Sequence, residues 1–297
     1  MTLSREVRTA RGRGFGERNS AGGSRTRRRP VRWLPEAALL LLAYATYSLI
    51  RDSVQGATSL AVARGVALLR VERNWHLDPE HALNGFLTHH PALGQVADYY
   101  YSTSHFLVTV VLLVVLYARA PRSARRFAAA WYAMNLVGLL GFWLYVLAPP
   151  RLLPHAGFVD TVVRLGTWGG WGSHAVASVS NQYAAMPSLH TGWAVWSAIA
   201  GWTLTRRWWL RAAAVLYPIL TVLVVLSTAN HYLLDTVAGV VTAAAGFAVA
   251  WTAEWGWRRL GAPRLVGPVL RYPPSVAGAA WRRLVTHPRP LRRDEAV

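Results

Sequence analysis

Residues 212–253 read AAAVLYPILTVLVVLSTANHYLLDTVAGVVTAAAGFAVAWTA, two uncharged apolar runs, 212–230 and 236–253, separated by His231-Tyr232-Leu233-Leu234-Asp235. A hydrocarbon core of about 30 Å takes roughly 20 apolar residues as helix, so each run has the length of a single crossing. The histidine and the aspartate then fall where the chain turns back at a membrane face.

Working outward, charge-free windows recur at 37–50, 99–118, 127–148 and 191–205. The first window is short, but Trp33 and Leu34 extend it and Glu36 suits the headgroup layer. The chain has 297 residues, 53% hydrophobic and 15% charged. That is too apolar and too sparsely charged for an ordinary soluble domain of this size. The expected fold is an all-α, polytopic membrane helix bundle of about six transmembrane helices with its active site at the outer face. Residues 31–257 would form the six-span domain, between a disordered basic tail over 1–30 and a second basic tail over 258–297. A cleavable signal peptide does not fit the long basic N-terminal region. Cysteine is absent, which excludes disulfides and thiolate chemistry.

All 32 cationic side chains are arginine, and their distribution sets the orientation. Ten precede the first span, four follow the second, three follow the fourth and nine follow the sixth, leaving six for the opposite side. Alternate loops are basic in register with the crossings, the bias expected of cytoplasmic loops, so both termini are placed in the cytoplasm. A net charge of +19 also suits phosphate backbones. The alternation assigns it to topology instead, and no nucleic acid partner is expected. The basic tails would meet anionic lipid headgroups. Residues 51–97, on the outer side, read as one or two amphipathic helices at the interface, with Asp78-Pro79-Glu80 as a helix start.

Ionisable groups are costly in a membrane, so those retained at span ends carry a functional reading. Four polar clusters share the predicted outer face: Asp98 to His105, Pro149-Pro150-Arg151, Pro187-Ser188-Leu189-His190 and His231 to Asp235. At i,i+4 spacing Asp235 can hold one imidazole nitrogen of His231 and leave the other as nucleophile or base; a structural His–Asp pair at a helix start is the alternative. His190, just inside a helix, can protonate a leaving oxygen, or be a polar group reaching for the interface. Arg151, held after two prolines, suits a phosphate clamp or a headgroup anchor. Tyr101 and His105, four apart, line one cavity or belong to an aromatic belt.

Pro187-Ser188-x-His190 and His231-x-x-x-Asp235, at the outer ends of consecutive spans, resemble the second and third signatures of the type 2 phosphatidic acid phosphatase superfamily. Pro149-Pro150-Arg151 with Leu152-Leu153-Pro154, and Tyr232 after His231, resemble its inositol phosphorylceramide synthase-like branch. The resemblance covers roughly residues 99–239. It implies a metal-independent reaction without cofactor. His231 would attack phosphorus and form a phosphohistidine, Asp235 would hold its ring, and His190 would protonate the leaving oxygen. Arg151 and backbone amides near Ser188 and Leu189 would hold the phosphoryl oxygens. Two of the family's cationic ligands are missing: Leu144 stands for the lysine of the first signature, and Val224-Val225 for the Ser-Arg of the third. Arg164, His105 or Asn230 are the candidates to join Arg151.

The leading expectation is therefore a membrane phosphatase or phosphotransferase acting on a lipid phosphate or phospholipid. A metal-dependent hydrolase with His190, His231 and Asp235 as ligands is a second class. A non-enzymatic lipid-binding protein or transporter is a third, and would place its polar groups near the midplane. The loop over 152–186, with Trp168-Gly169-Gly170-Trp171, is expected to cover the site.

Overall fold

The computed structural model describes residues 58–167 and 182–259, with the isolated helical positions Ala45 and Ser48. Apart from those two positions the first predicted span lies outside the described residues, as do the N-terminal tail, residues 260–297 and the Trp168–Trp171 stretch. The rest is helical, as the sequence implies: α1 (Thr58–Asn74), α2 (Pro79–Thr88), α3 (Pro91–Arg119), α4 (Pro121–Leu144), α5 (Thr161–Leu165), α6 (Leu189–Leu204), α7 (Trp208–Ser227) and α8 (Leu233–Arg259). Proline opens α2, α3 and α4, where its missing N–H costs nothing and its fixed φ suits the first turn. The α3–α4 turn is a single residue, Ala120, which ends one helix and precedes the other at φ −137°.

Four helices are long and apolar enough to cross a membrane: Pro91–Arg119, Ser123–Leu144, Trp208–Ser227 and Leu233–Gly256. They coincide with the second, third, fifth and sixth predicted crossings. The fourth predicted crossing forms α6, a helix of 16 residues, about 24 Å long at 1.5 Å per residue. Outward positions of α3 such as Phe106, Leu107, Val110 and Val114 are exposed and apolar, as lipid contact requires.

The interior is built on close backbone approach. α8 packs most extensively on α4, and α6 on α7 and α8. A Cβ on Gly246 would lie 2.7 Å from Ala130 O, and one on Gly239 would collide with Ser188 O. Only glycine fits either position, the small-residue packing by which membrane helices associate. Around these contacts Leu116, Phe127, Met134, Trp196 and Ala243 form a buried apolar core.

At the other end of the bundle, α1 and α2 fold over the mouths of α7 and α8. The segment read as one or two interfacial helices forms α1 and α2, where acids on a polar face would stay in water. Glu72 and Glu80 are instead 0% exposed. Asp78 does precede α2, but its side chain makes no capping bond and pairs with Arg73 at 3.6 Å. Asn84 of α2 donates to Val159 O and Ser227 O, each at 3.0 Å, and accepts from Val159 N at 2.8 Å. Asp98 of α3 accepts from Thr161 Oγ1 at 2.6 Å and Thr167 Oγ1 at 2.9 Å. These bonds pin the segment between α4 and α6 onto the bundle end.

Candidate active site

The apolar run ending α7 stops at Ser227, and the chain makes a tight reversal through Ala229 at φ 51° before α8 begins at Leu233. His231 therefore precedes α8 by two residues rather than lying within it. The expected pair forms all the same, with His231 Nδ1 3.1 Å from Asp235 Oδ1. Asp235 Oδ2 accepts from Tyr232 N at 3.0 Å, so both carboxylate oxygens are held. His231 is 4% exposed and Asp235 fully buried. With Nδ1 turned to Asp235, Nε2 is the ring nitrogen left for chemistry.

α6 begins at a capped N-terminus. Ser188 Oγ accepts from Thr191 N at 3.3 Å. The Ser188 backbone N–H donates to Asp235 O at 3.1 Å, which ties the start of α6 to the start of α8. That amide is thus engaged in the fold. The first-turn amides of Leu189 and His190 keep the orphan status that helix geometry gives them, suited to an anion.

His190 faces His231 with ring centroids 5.5 Å apart. Tyr101 stacks on His190 at 4.3 Å and 23°, and His105 meets the same ring edge-on at 4.4 Å. Tyr101 also lies 6.4 Å from the His231 ring. Both residues predicted to line a cavity therefore bear on the site, and His105 is steadied by its Nδ1 against Tyr101 O at 3.1 Å. Trp193, one turn after His190, packs on His105 at 5.3 Å and donates to Asn135 Oδ1 at 3.1 Å. Nothing in the sequence marked Trp193 apart from the other tryptophans.

Arg151 sits on a 3-10 turn, Pro150–Leu152, that the preceding proline pair sets up. Its backbone N–H donates to Ala229 O at 3.0 Å. Its Nε donates to Asn230 Oδ1 at 2.7 Å and its Nη1 to Asp160 Oδ2 at 3.2 Å. The guanidinium is thus bonded to the residue adjacent to His231 and oriented by a carboxylate the sequence reading missed. Asp160 is the last acid before Asp235 in the chain, and that scarcity was the available signal. Of the candidates to join Arg151, Asn230 contacts it directly, His105 lies beside His190, and Arg164 is exposed on α5. Among the described residues no three His, Asp or Glu side chains are grouped to hold a metal ion.

Comparison with known proteins gives the class first. Residues 66–249 match the family model described as the PAP2 superfamily, and the chain belongs to that superfamily. A more particular likeness is to the phosphoinositol dihydroceramide synthase of Bacteroides thetaiotaomicron, 24% identical over 177 residues, 54% of this chain and 57% of that protein. The chain thus spans little more than half the length of this curated relative. No solved structure matches the chain.

Proposed function

We propose that this protein moves a phosphoryl group, with any headgroup it carries, from a lipid phosphate or phospholipid to an alcohol or water through a phosphohistidine on His231. The observation that carries the reading is the buried His231 Nδ1–Asp235 Oδ1 bond, which leaves Nε2 for chemistry on a ring whose centroid is 5.5 Å from that of His190. In the first half, Nε2 attacks phosphorus, the bond from phosphorus to the leaving oxygen breaks, and His190 gives that oxygen a proton. In the second half, His190 takes the proton of the acceptor hydroxyl, the acceptor oxygen attacks phosphorus, and the bond to Nε2 breaks. Arg151, fixed through Nε and Nη1, and the first-turn amides of α6 stabilise the phosphoryl oxygens as charge develops. Likeness to a phosphoinositol transferase favours an inositolphosphotransferase-like reaction.

The metal-hydrolase reading takes Asp235 as a ligand, whereas its Oδ1 faces His231 Nδ1 and its Oδ2 accepts from Tyr232 N. The transporter reading needs polar groups at mid-depth. The described site gathers instead at the starts of α6 and α8 and along one face of α3. We place it at the outer leaflet, with both termini cytoplasmic, from the arginine distribution. Because the chain has no cysteine, single cysteines at Ala120 and Gly157 should label from opposite sides of sealed vesicles; labelling from the same side would overturn the orientation.

The direct test is turnover of labelled phosphatidic acid, phosphatidylinositol and prenyl phosphate by purified protein with EDTA, for wild type, His231→Ala and His190→Ala. Activity that withstands EDTA and falls at least ~10³-fold in both variants is expected, since acid and nucleophile act as a unit. Unchanged turnover in His231→Ala would sink the mechanism, and loss with EDTA would move the site to metal chemistry.

A further inference from the structure

The first turn of a helix leaves N–H groups that need partners, usually a Ser, Thr, Asp or Asn side chain just ahead of the helix. α8 has no such residue. Tyr232 stands there, and its hydroxyl is turned away to Ala148 O at 2.8 Å. Asp235 supplies one cap by accepting from Tyr232 N, while Leu234 N donates to Glu72 Oε1 at 2.6 Å, across 162 residues of sequence. The helix that carries Asp235 and begins two residues after His231 is therefore capped from α1.

Glu72 is an unusual group to find in this place. It is fully buried, as is Glu80 beside it, and an isolated carboxylate there would be costly. No other side chain among the described residues bonds Glu72 Oε2 or either Glu80 oxygen, and the two carboxyls lie close enough to share a hydrogen bond. The titratable groups bearing on Glu72 are Glu80 from α2 and Asp235 from α8, and Tyr232 feels all three acids. The Arg73–Asp78 pair lies at the end of α1. Burial first, then Glu80, pushes Glu72 up to about 9, and burial raises Glu80 as well. At neutral pH such a pair holds a proton between its members, and the cap is made by a carboxyl oxygen without a full charge beside Asp235.

We propose that Glu72 is a positioning residue for the nucleophile, a remote cap whose bond to Leu234 N fixes the start of α8 and with it the aim of His231. This inference rests on the reading of His231 as nucleophile. Loss of the bond frees an end of the helix, and displacement of a reacting atom by about 1 Å can cost ~10²-fold in rate.

The experiment compares wild type, Glu72→Ala, Glu72→Gln and His231→Ala. It measures kcat and KM from pH 6 to 10 on whichever of labelled phosphatidic acid and labelled phosphatidylinositol turns over, and the low-field proton signal of the His231–Asp235 bond by NMR. Glutamine keeps an acceptor for Leu234 N without an ionisable proton. Glu72→Ala should lower kcat about 10- to 100-fold with KM within threefold, and shift or broaden the NMR signal. Glu72→Gln should keep kcat within threefold and keep the signal. Wild-type kcat and signal in Glu72→Ala, with His231→Ala inactive, would overturn the positioning role and leave the nucleophile standing. Should Glu72→Ala not fold, a Glu72→Gln kcat down tenfold, or loss of the low-field signal in Glu72→Gln, would overturn it equally. Full activity in His231→Ala would remove the parent reading itself.

Discussion

The interior of this bundle and its polar end are held together by opposite means. Between α4, α6 and α8 the contacts are backbone against backbone, with Gly246 on Ala130 and Gly239 on Ser188. At the end covered by α1 and α2 the contacts are polar and reach far along the chain: Asn84 to Ser227, Asp98 to Thr161 and Thr167, Arg151 to Asn230, Glu72 to Leu234. In lipid the apolar surface gains nothing by leaving its surroundings, so shape fit carries the interior. Where chemistry needs ionisable groups, each must be satisfied by protein, and the bonds do both jobs at once.

The sharpest way to break the polar end is Asp235→Asn. It leaves the packing intact but removes the charge that sets the His231 tautomer, and kcat should fall about 10²- to 10⁴-fold with little change in thermal stability. Retained kcat would mean that the pair is structural. A smaller and more even comparison sets Asn84→Ala against Gly246→Ala. The first leaves buried partners on Val159 and Ser227 unsatisfied, and the second forces a methyl against Ala130 O. Each should cost roughly 1–3 kcal/mol. Asn84→Ala should also lower kcat, because it releases the segment carrying Asp160 over the site, whereas Gly246→Ala should lower the melting temperature alone. Equal losses of kcat would dissolve the distinction between the two regions.

The smallest effect concerns pH. Burial raises Glu72, so the folded protein keeps its proton up to about pH 9, while an unfolded glutamate releases it near its ordinary 4.5. Between those values the folded state binds more protons, and stability falls as pH rises. Glu72→Gln does not titrate, so its melting temperature should draw ahead of wild type across that window and match it at the acid end. A gap that stays constant with pH would contradict the buried, protonated acid.

Local pattern made half of this legible. Uncharged runs of crossing length located four of the spans seen, and the i,i+4 spacing of His231 and Asp235 was enough to foresee their bond even though α8 starts two residues later than needed for a helical pair. The turn that holds Arg151 was readable from its prolines, and its bond to Asn230 was one of three alternatives. Glu72 was not readable: an acid in an apolar segment looks the same whether it faces water or caps a helix 162 residues on. The same holds for Asp98, whose partners Thr161 and Thr167 carry no periodic signal. Long-range pairing is decided by the packed fold, and single-sequence periodicity does not see it.

The bond from Ser188 N to Asp235 O joins the start of α6, which carries His190, to the start of α8, two residues after His231. Under the proposed mechanism, neither half of the apparatus is assembled by the incoming lipid, and departing and arriving alcohols meet the same fixed frame. A frame indifferent to direction is a ferry that runs both ways. The enzyme should exchange labelled alcohol back into its donor lipid, with the net flow set by the relative abundance of the two alcohols at the membrane surface.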